Sequence, residues 1–404
     1  MPTVPPKQRL AILATHPVQY FKPVFQGLAA NTGIELLVVF GCDHGVQASL
    51  DPDFGVSFAW DSAPTDGFPH HVVSQAPLAQ LSRIAKAWPL AQQACKTIQA
   101  FHPDAVLVFS YSPAFISLSL ALLNFQGQRL WLRAETSDIA LRRSPIKDWT
   151  RSWVLRQLYR RLDHVFPIGL RSASHYTRLG VPLAKQSLAR YAVDVDFFQE
   201  QVNKWKLRRA SVRQALQIPE QAHVLLFVGK LTAVKDPLLI AKALHTLRRH
   251  PCFSRIQLLV VGDGELKERF ENDANQALPG RCHFLGFQNQ QQLGQFYAAA
   301  DTLLLPSQSG ETWGLVVNEA LQFGCNVIAS TLVGSGPDLL EGRPWGRRHP
   351  VGDAHALAQA IAELANEEHQ PQPRLTADER SLPHPQELVA AITQQLLRPR
   401  PTSC

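Results

Sequence analysis

Residues 224–229 read Val-Leu-Leu-Phe-Val-Gly, and residues 256–262 read Ile-Gln-Leu-Leu-Val-Val-Gly. Both are continuous apolar runs, which is typical of parallel strands covered on both faces. Between them, Asp236 stands at the N-cap position and Pro237 at the first position of a helix predicted over 236–249. This strand–helix–strand order decides the fold, because neighbouring parallel strands need a crossover connection.

The same order extends through the rest of the chain. Towards the C-terminus it predicts helices at 265–274, 291–300 and 315–323, and strands at 283–286, 302–306 and 326–330. The N-terminal half repeats it less regularly, with strands at 10–15, 35–41, 105–109, 129–133 and 165–168, and helices at 20–30, 77–101 and 114–125. Strands that alternate with helices predict an α/β protein with two doubly wound, Rossmann-like domains.

The domain limits follow from a polar, basic stretch near the middle of the chain. We expect an N-terminal domain at 1–200, a linker at 201–217, a second domain at 218–385, and a C-terminal helix and tail at 386–404. The last helix should pack back on the N-terminal domain.

Composition narrows the class of protein. The 404 residues are 45% hydrophobic and 18% charged, which excludes a largely disordered chain. The net charge of +7 suits anionic ligands, but we find no nucleic-acid reader motif and expect no nucleic acid as partner. The six cysteines include no Cys-x-x-Cys pair, and the first apolar run is too short for a signal peptide. We therefore expect a cytoplasmic protein with reduced thiols.

Residues 309–321 read Ser-Gly-Glu-Thr-Trp-Gly-Leu-Val-Val-Asn-Glu-Ala-Leu. They place Glu311 in a glycine-flanked loop and Glu319 about one turn into an apolar helix. The first turn of a helix attracts phosphate, because its N–H groups are unpaired and the dipole is positive there. Carboxylates accept hydrogen bonds from hydroxyl groups. A phosphate cradle bordered by two such acceptors predicts a site for a sugar nucleotide.

With these segments, the chain resembles the retaining glycosyltransferases of family 4, which have the GT-B fold. The resemblance is carried in order by Ile-Gly at 168–169, Tyr-Ala-Val-Asp at 191–194, Phe-Val-Gly-Lys-Leu at 227–231 with Lys235, Val-Gly-Asp-Gly at 261–264, Phe-Leu-Gly-Phe at 284–287, the acid pair, and Pro-Val-Gly-Asp at 350–353. It is strongest from 224 to 353. It implies two domains facing across a cleft, a nucleoside-diphosphate sugar as donor, and a hydroxyl acceptor on a glycan, a lipid-linked compound or a small molecule.

The resemblance also implies roles for individual residues. Glu311 would bind hydroxyls of the transferred sugar and Glu319 the ribose diol. The diphosphate would meet the amides of Trp313, Gly314 and Leu315 and the cations Lys230 and Lys235. The other donor-binding candidates are Gly229, Gly262, Asp263, Gly264, Phe284 and Phe287. The alternative is an ordinary helix-terminal acid with a second solvated acid and two solvated lysines; the order of the segments favours the functional interpretation.

The acceptor side departs from the family pattern. His16 stands where many relatives have a Gly-Gly loop, and it either contacts donor or acceptor or simply precedes the helix before Pro17. Glu135 stands where some relatives have a histidine, and it acts at the transferred sugar, positions the acceptor hydroxyl, or pairs with Arg133. We favour a catalytic role for Glu135 and leave the two interpretations of His16 open.

No metal or other cofactor is expected. Two Asp-x-Asp triplets, at 51–53 and 194–196, could suggest a metal site. The first is typical of a turn and the second of a helix cap. Lysines and helix dipoles can neutralise the diphosphate in place of a metal.

A basic stretch with interleaved aromatic residues follows the first-domain strands. Its cations are Arg142, Arg143, Lys147, Arg151, Arg156, Arg160 and Arg161, and its apolar residues are Trp149, Trp153, Leu155, Leu158 and Tyr159. A basic amphipathic helix can lie on an anionic membrane, here the inner membrane surface. We favour the alternative, an ordinary surface helix whose apolar stripe lies in the core.

The resemblance thus implies a retaining glycosyltransferase, and we expect it to be metal-independent. Two alternatives stay open at this point: a sugar-nucleotide epimerase or phosphorylase of the same fold, and a non-catalytic sugar-nucleotide-binding protein.

Overall fold

The computed structural model describes residues 7–46, 49–51, 56–58, 63–139, 144–367 and 380–398, which form two six-stranded sheets and a two-stranded ribbon. The strands are β1 Gln8–Ala14, β2 Ile34–Phe40, β3 Ser49–Asp51, β4 Val56–Phe58, β5 His70–Val72, β6 Ala105–Phe109, β7 Leu130–Arg133, β8 His164–Val165, β9 His223–Val228, β10 Ile256–Val261, β11 Cys282–Phe284, β12 Thr302–Leu305, β13 Asn326–Ser330 and β14 Gly346–His349. The α-helices are α1 Lys22–Ala30, α2 Ile84–Phe101, α3 Ala114–Phe125, α4 Pro145–Tyr159, α5 Leu170–Arg178, α6 Val195–Lys206, α7 Arg209–Ala215, α8 Pro237–Thr246, α9 Lys267–Ala277, α10 Gln290–Ala299, α11 Leu315–Gln322, α12 Gly336–Leu339, α13 Ala354–Glu367 and α14 Pro385–Leu397.

Both large sheets are parallel throughout and share one topology. The first has the order β5-β2-β1-β6-β7-β8, and the second has the order β11-β10-β9-β12-β13-β14. Numbered within each sheet, both orders are 3-2-1-4-5-6, the order of a Rossmann fold. The prediction of two Rossmann-like α/β domains is therefore confirmed. In such sheets a crevice opens at the carboxyl ends of the strands where the order reverses, here between β1 and β6 and between β9 and β12.

The N-terminal sheet is covered on its second face by the end of the chain. Leu388, Val389, Ile392 and Leu396 of α14 lie in one core cluster with residues of β1, β2 and α1. The side chain of Arg129 donates to the carbonyl oxygens of Gln395 and Arg398, at 3.2 Å in both cases. The C-terminal helix thus packs on the N-terminal domain.

The polar stretch predicted as a linker, 201–217, is largely helical. It lies within α6 and α7, and both helices contact α10 of the second domain. Arg213 pairs with the buried Asp301 at 2.6 Å, and Arg209 pairs with the same carboxylate. The basic residues thus belong to an ion-pair cluster, which a composition pattern does not reveal. The boundary between the domains stays a prediction.

Two local predictions differ from the structure. The helix predicted over 77–101 begins at Ile84, after a 3₁₀ turn at Leu78–Ser82. Asp236 occupies the N-cap position of α8 with φ of 48°, and its side chain makes no capping hydrogen bond. By contrast, Asp194 caps α6 by accepting from the amide of Phe197 at 3.1 Å, as the sequence predicts.

Replacing Gly262 by alanine should destabilise the second domain strongly. Gly262 has φ of 141°, and an added Cβ would lie 1.9 Å from the carbonyl oxygen of Gly229. We expect the free energy of unfolding to fall by about 2 kcal/mol or more, measured by urea denaturation. Gly280→Ala is the matched control, because Gly280 also has a positive φ but nothing within 4 Å of the added Cβ. Equal losses in both variants would contradict the close backbone approach.

Candidate active site

The acid pair lies where β12 ends and α11 begins. Gly314, with φ of 91°, is the N-cap residue of α11. The preceding loop is held by the turn after β13, whose Gly334 and Ser335 amides donate to the carbonyl oxygens of Glu311 at 3.0 Å and Trp313 at 2.9 Å. A Cβ on Gly334 would lie 1.7 Å from the Thr312 carbonyl oxygen, so only glycine permits this approach. The backbone therefore fixes where both carboxylates point.

Glu311 is mostly buried and already has two donors. Its Oε2 accepts from Ser307 Oγ at 3.0 Å and forms an ion pair with Lys235 Nζ. The loops that carry the two charges are joined by a backbone hydrogen bond from Gln308 to Val234, at 2.8 Å. Lys230 lies two residues after the end of β9, in the same connection as Lys235. The structure thus places an acid and a cation together at the switch point of the second sheet, between β9 and β12.

Glu319 lies in a different environment. It is 2% exposed, and its two oxygens accept from Tyr297 at 2.6 Å and from Tyr20 at 3.1 Å. Burial raises the pKa of Glu319, and the tyrosine hydrogen bonds act in the opposite direction. Tyr20 belongs to the N-terminal domain, so one carboxylate joins the two domains. The predicted role of Glu319 at the ribose stays a prediction, and a ribose would meet Tyr20 at this position.

The glycine-rich turn serves backbone packing. Besides Gly262, Gly264 lies so close to the preceding loop that a Cβ would be 2.6 Å from the Leu231 carbonyl oxygen. Asp263 accepts from Lys267 Nζ at 2.6 Å and from the Gly264 amide at 2.9 Å. Burial acts to raise the pKa of Asp263, but these hydrogen bonds outweigh it and hold the pKa below its usual value. The close approach of this turn thus positions the loop after β9, which carries Lys230 and Lys235.

The neighbouring strand contributes mainly backbone to this edge. The Phe284 ring packs on Phe270 with centroids 5.5 Å apart, so this side chain belongs to the core. The Gly286 carbonyl oxygen accepts from the Gly262 amide at 2.8 Å. Phe287 follows directly and is partly buried.

His16 and Glu135 line one cavity of about 570 Å³ at the switch point of the N-terminal sheet. His16 Nδ1 lies 2.9 Å from Thr15 Oγ1, and burial together with His44 lowers the pKa of His16 to about 4. The imidazole is therefore neutral at neutral pH. Glu135 is exposed, and its Oε2 accepts from Thr312 Oγ1 of the acid loop at 3.2 Å. The structure thus brings the two first-domain candidates together and links them to the second domain.

Comparison with known proteins decides the class of the second domain. Residues 208–379 match the family described as glycosyl transferases group 1. The C-terminal half is a glycosyl transferases group 1 domain.

Curated relatives of this domain are glycosyltransferases. The chain is 34% identical over 140 residues to a lipopolysaccharide 1,2-N-acetylglucosaminetransferase of Salmonella typhimurium, which covers 33% of this chain and 36% of that protein. It is 32% identical over 165 residues to a D-inositol 3-phosphate glycosyltransferase of Saccharomonospora viridis, covering 39% and 38%. It is 27% identical over 212 residues to the putative colanic acid biosynthesis glycosyltransferase WcaL of Escherichia coli, covering 51% and 48%. The chain thus matches about a third to a half of the length of these relatives.

Solved structures share the fold over nearly the whole chain. Anabaena HepE in complex with UDP and glucose superposes with a TM-score of 0.66 at 18% identity, covering 96% of this chain and 99% of that one. Sucrose-phosphate synthase from Thermosynechococcus elongatus superposes with a TM-score of 0.67 at 20% identity, covering 96% and 98%. At these identities the likeness establishes the GT-B fold alone.

The group 1 domain meets the N-terminal domain through contacts that the sequence did not indicate. Asn318 accepts from Trp313 Nε1 at 2.8 Å and donates to the Tyr191 carbonyl oxygen at 3.0 Å. The Trp313 ring is 2% exposed and lies against Gly169, where a Cβ would be 2.2 Å from it. The Asp338 carboxylate accepts from the Leu170 amide at 3.1 Å. Only the fold reveals the contacts between the domains, because their partners lie more than a hundred residues apart in sequence.

Arg133 does not form the ion pair with Glu135 that was one alternative. Within the described residues, its Nη1 donates to the carbonyl oxygens of Ala189 at 2.9 Å and Phe166 at 3.5 Å. It is 4% exposed, and burial lowers its pKa to about 10. Arg133 thus holds the backbone behind the cleft, and the Glu135 carboxylate stays at the cavity.

The Asp-x-Asp triplets do not assemble a site in the part of the chain that can be described. Asp194 is a helix cap, as noted above, while Pro52 and Asp53 lie outside the described residues. Within those residues no group of three or more His, Cys, Asp or Glu side chains is placed to hold a metal ion. Metal independence itself stays a prediction.

The basic stretch forms α4, and our favoured interpretation of it is wrong in one respect. Leu155 and Tyr159 are buried as expected, but Trp149 and Trp153 are 68% and 56% exposed. They point away from the core because α4 is apolar on more than one side. Arg142 and Arg143 lie outside the described residues. Across the described segments, no helix has both the length and the apolar character to cross a bilayer.

The lowered pKa of His16 gives a prediction for the pH dependence of stability. Its folded-state value of about 4 lies below the ordinary 6.5, so the unfolded chain takes up this proton first as the pH falls. The stability that His16 contributes is therefore constant above about pH 6.5 and falls between 6.5 and 4. In His16→Asn, the free energy of unfolding should therefore fall less between pH 6.5 and pH 4 than it does in the wild type.

The pKa of the His16 imidazole is measured by NMR titration of its ring protons. We expect a pKa near 4 in the wild type and a higher value in His44→Gln, because the neighbouring charge is lost. A value near 6.5 in the wild type would contradict the buried, neutral imidazole.

Proposed function

We propose that the protein is a retaining glycosyltransferase that moves a sugar from a nucleoside-diphosphate sugar to a hydroxyl acceptor in the synthesis of a cell-surface glycan or glycolipid. One observation carries the proposal: Glu311 and Lys235 lie together at the switch point of a group 1 domain, beside the first turn of α11. The relatives that act on lipopolysaccharide and, putatively, on colanic acid support the glycan class. The UDP bound in HepE supports a nucleoside diphosphate as donor.

The diphosphate would lie between the lysine loop and α11. The first amides of α11 have no intrahelical partner, and the dipole is positive there. Lys230 and Lys235 supply two positive charges from the facing loop. As the bond from the anomeric carbon to the diphosphate breaks, these groups stabilise the charge on the leaving oxygen. We propose that this arrangement works without a metal ion.

The sugar would lie between Glu311 and the N-terminal cavity. Glu311 would accept hydrogen bonds from sugar hydroxyls, beside its ion pair with Lys235. The acceptor hydroxyl would enter beside Glu135 and His16. Its oxygen forms the new bond to the anomeric carbon on the face that the diphosphate leaves, and its proton passes to a diphosphate oxygen. Closure of the two domains would exclude water from this reaction.

A thermal-shift screen identifies the donor without any knowledge of the acceptor. We expect one nucleoside diphosphate and its sugar to raise the melting temperature more than the corresponding mononucleotide, because the diphosphate meets the lysines and α11. The same shift should persist in EDTA. No shift with any nucleoside diphosphate would contradict the donor site, and a shift that needs Mg²⁺ would contradict metal independence.

Glu311→Gln tests the catalytic role of the acid loop. The change keeps the shape of the side chain but removes the charge that binds the sugar and pairs with Lys235. We expect transfer to fall at least about a hundredfold, while nucleoside-diphosphate binding is largely kept. Glu268→Gln is the control, because Glu268 is exposed on α9 of the same domain. Near-normal turnover in Glu311→Gln would overturn the assignment.

A further inference from the structure

A second cavity lies on the N-terminal domain, between α3 and α4, with a volume of about 790 Å³. Its floor is formed by the buried Leu120, Leu155 and Leu162, and its walls include the exposed Ala121 and Val154. We call it the α3–α4 groove. Its volume is within the range of small-molecule sites, about 300–1,000 Å³. An open apolar cavity of this size on a protein surface marks a binding site.

The α3–α4 groove adjoins the cavity at the cleft. Tyr111 and Ser112 line both the groove and the cavity that holds His16 and Glu135. The Tyr111 hydroxyl is held at this junction by Arg151 Nη2, at 2.8 Å. The groove and the cleft cavity therefore adjoin at Tyr111 and Ser112.

The charges around the groove favour an anion at this junction. Lys147, Arg151 and Arg161 line it, and no carboxylate does so in the part of the chain that the structure describes. Arg151 Nη1 is buried and has no hydrogen-bond partner among the described residues. A buried guanidinium N–H without an acceptor is costly, and an anionic oxygen such as that of a phosphate is a strong acceptor for it.

The outer side of α4 adds a third observation. Ile146, Trp149 and Trp153 are 76%, 68% and 56% exposed, on the same helix as the cations of the groove. Exposed tryptophans beside basic residues are typical of helices that lie at a lipid interface. The groove therefore opens beside a surface suited to lipid.

We propose that the α3–α4 groove binds the hydrocarbon chain of a lipid-linked acceptor, and that Arg151 holds the phosphate that joins this chain to the acceptor group. The order of chain, phosphate and accepting hydroxyl matches the order of groove, Arg151 and cleft. This assignment rests on the proposed transferase function and names the substrate class of its acceptor side. The site itself is tested independently of any transfer.

Binding is measured by calorimetry with decyl phosphate below its micelle concentration. Each fully buried methylene raises affinity about fourfold, so we expect decyl phosphate to bind at least about 100-fold more tightly than inorganic phosphate. Ala121→Trp fills the groove from an exposed position and should weaken binding at least tenfold. Arg151→Gln should also weaken it. Ala100→Trp is the matched control, because Ala100 is exposed on the neighbouring α2 and does not line the groove.

Two results would overturn the site: decyl phosphate that binds no better than inorganic phosphate, or Ala121→Trp that binds it like the wild type.

The acceptor assignment is tested with radiolabelled donor and membranes of the source organism. Label should enter the butanol-extractable lipid, at least tenfold less with Ala121→Trp and unchanged with Ala100→Trp. Label found only in water-soluble product would overturn the acceptor assignment. Absence of all transfer, with no nucleoside-diphosphate binding, would overturn the proposed function, while the calorimetry still decides the groove.

Discussion

The carboxylate of Glu319 is buried where the two domains meet, and the position of α11 depends on it. A buried charge is stable only when donors surround it, and here the donors are Tyr297 and Tyr20. Because Tyr20 lies in the 3₁₀ turn after β1, the same contact fixes the entrance of the N-terminal cavity. The register of α11 in turn sets the loop before it, which carries Glu311. The geometry of the site thus follows from one satisfied internal charge.

Two Rossmann-like sheets of identical order face each other around this contact. Each sheet has a switch point at its carboxyl edge, which in the second domain holds Glu311 and Lys235 and in the first holds the cavity of His16 and Glu135. Smaller contacts keep this arrangement, among them the hydrogen bond between Thr312 and Glu135. The two domains differ in what they hold there: the group 1 domain has the ion pair of Glu311 and Lys235, and the N-terminal domain has a cavity with a neutral imidazole and the Glu135 carboxylate.

The sequence predicted ten of the twelve strands of the two large sheets, because continuous apolar runs are local signals, but it missed the edge strands β5 and β14, which lack such runs. The roles of the second-domain site residues stay predictions. The sequence could not reveal Tyr20 as a partner of Glu319, since the two residues are 299 positions apart. It also missed the ion pairs of Arg209 and Arg213 with Asp301, because a basic composition does not show which carboxylate the cations contact. The exposure of Trp149 and Trp153 was missed for a related reason: periodicity shows that a helix is amphipathic, but not which of its sides the core leaves uncovered.

If Glu319 binds the ribose as the resemblance implies, we expect its oxygen to exchange Tyr20 for a ribose hydroxyl when a donor binds. The most direct measurement is a crystal structure with a bound nucleoside diphosphate. We expect at least one ribose hydroxyl within about 3.2 Å of a Glu319 oxygen. The Tyr20 hydroxyl should then be displaced from that oxygen. A nucleotide bound with its ribose elsewhere, and Tyr20 still donating to Glu319, would contradict the account.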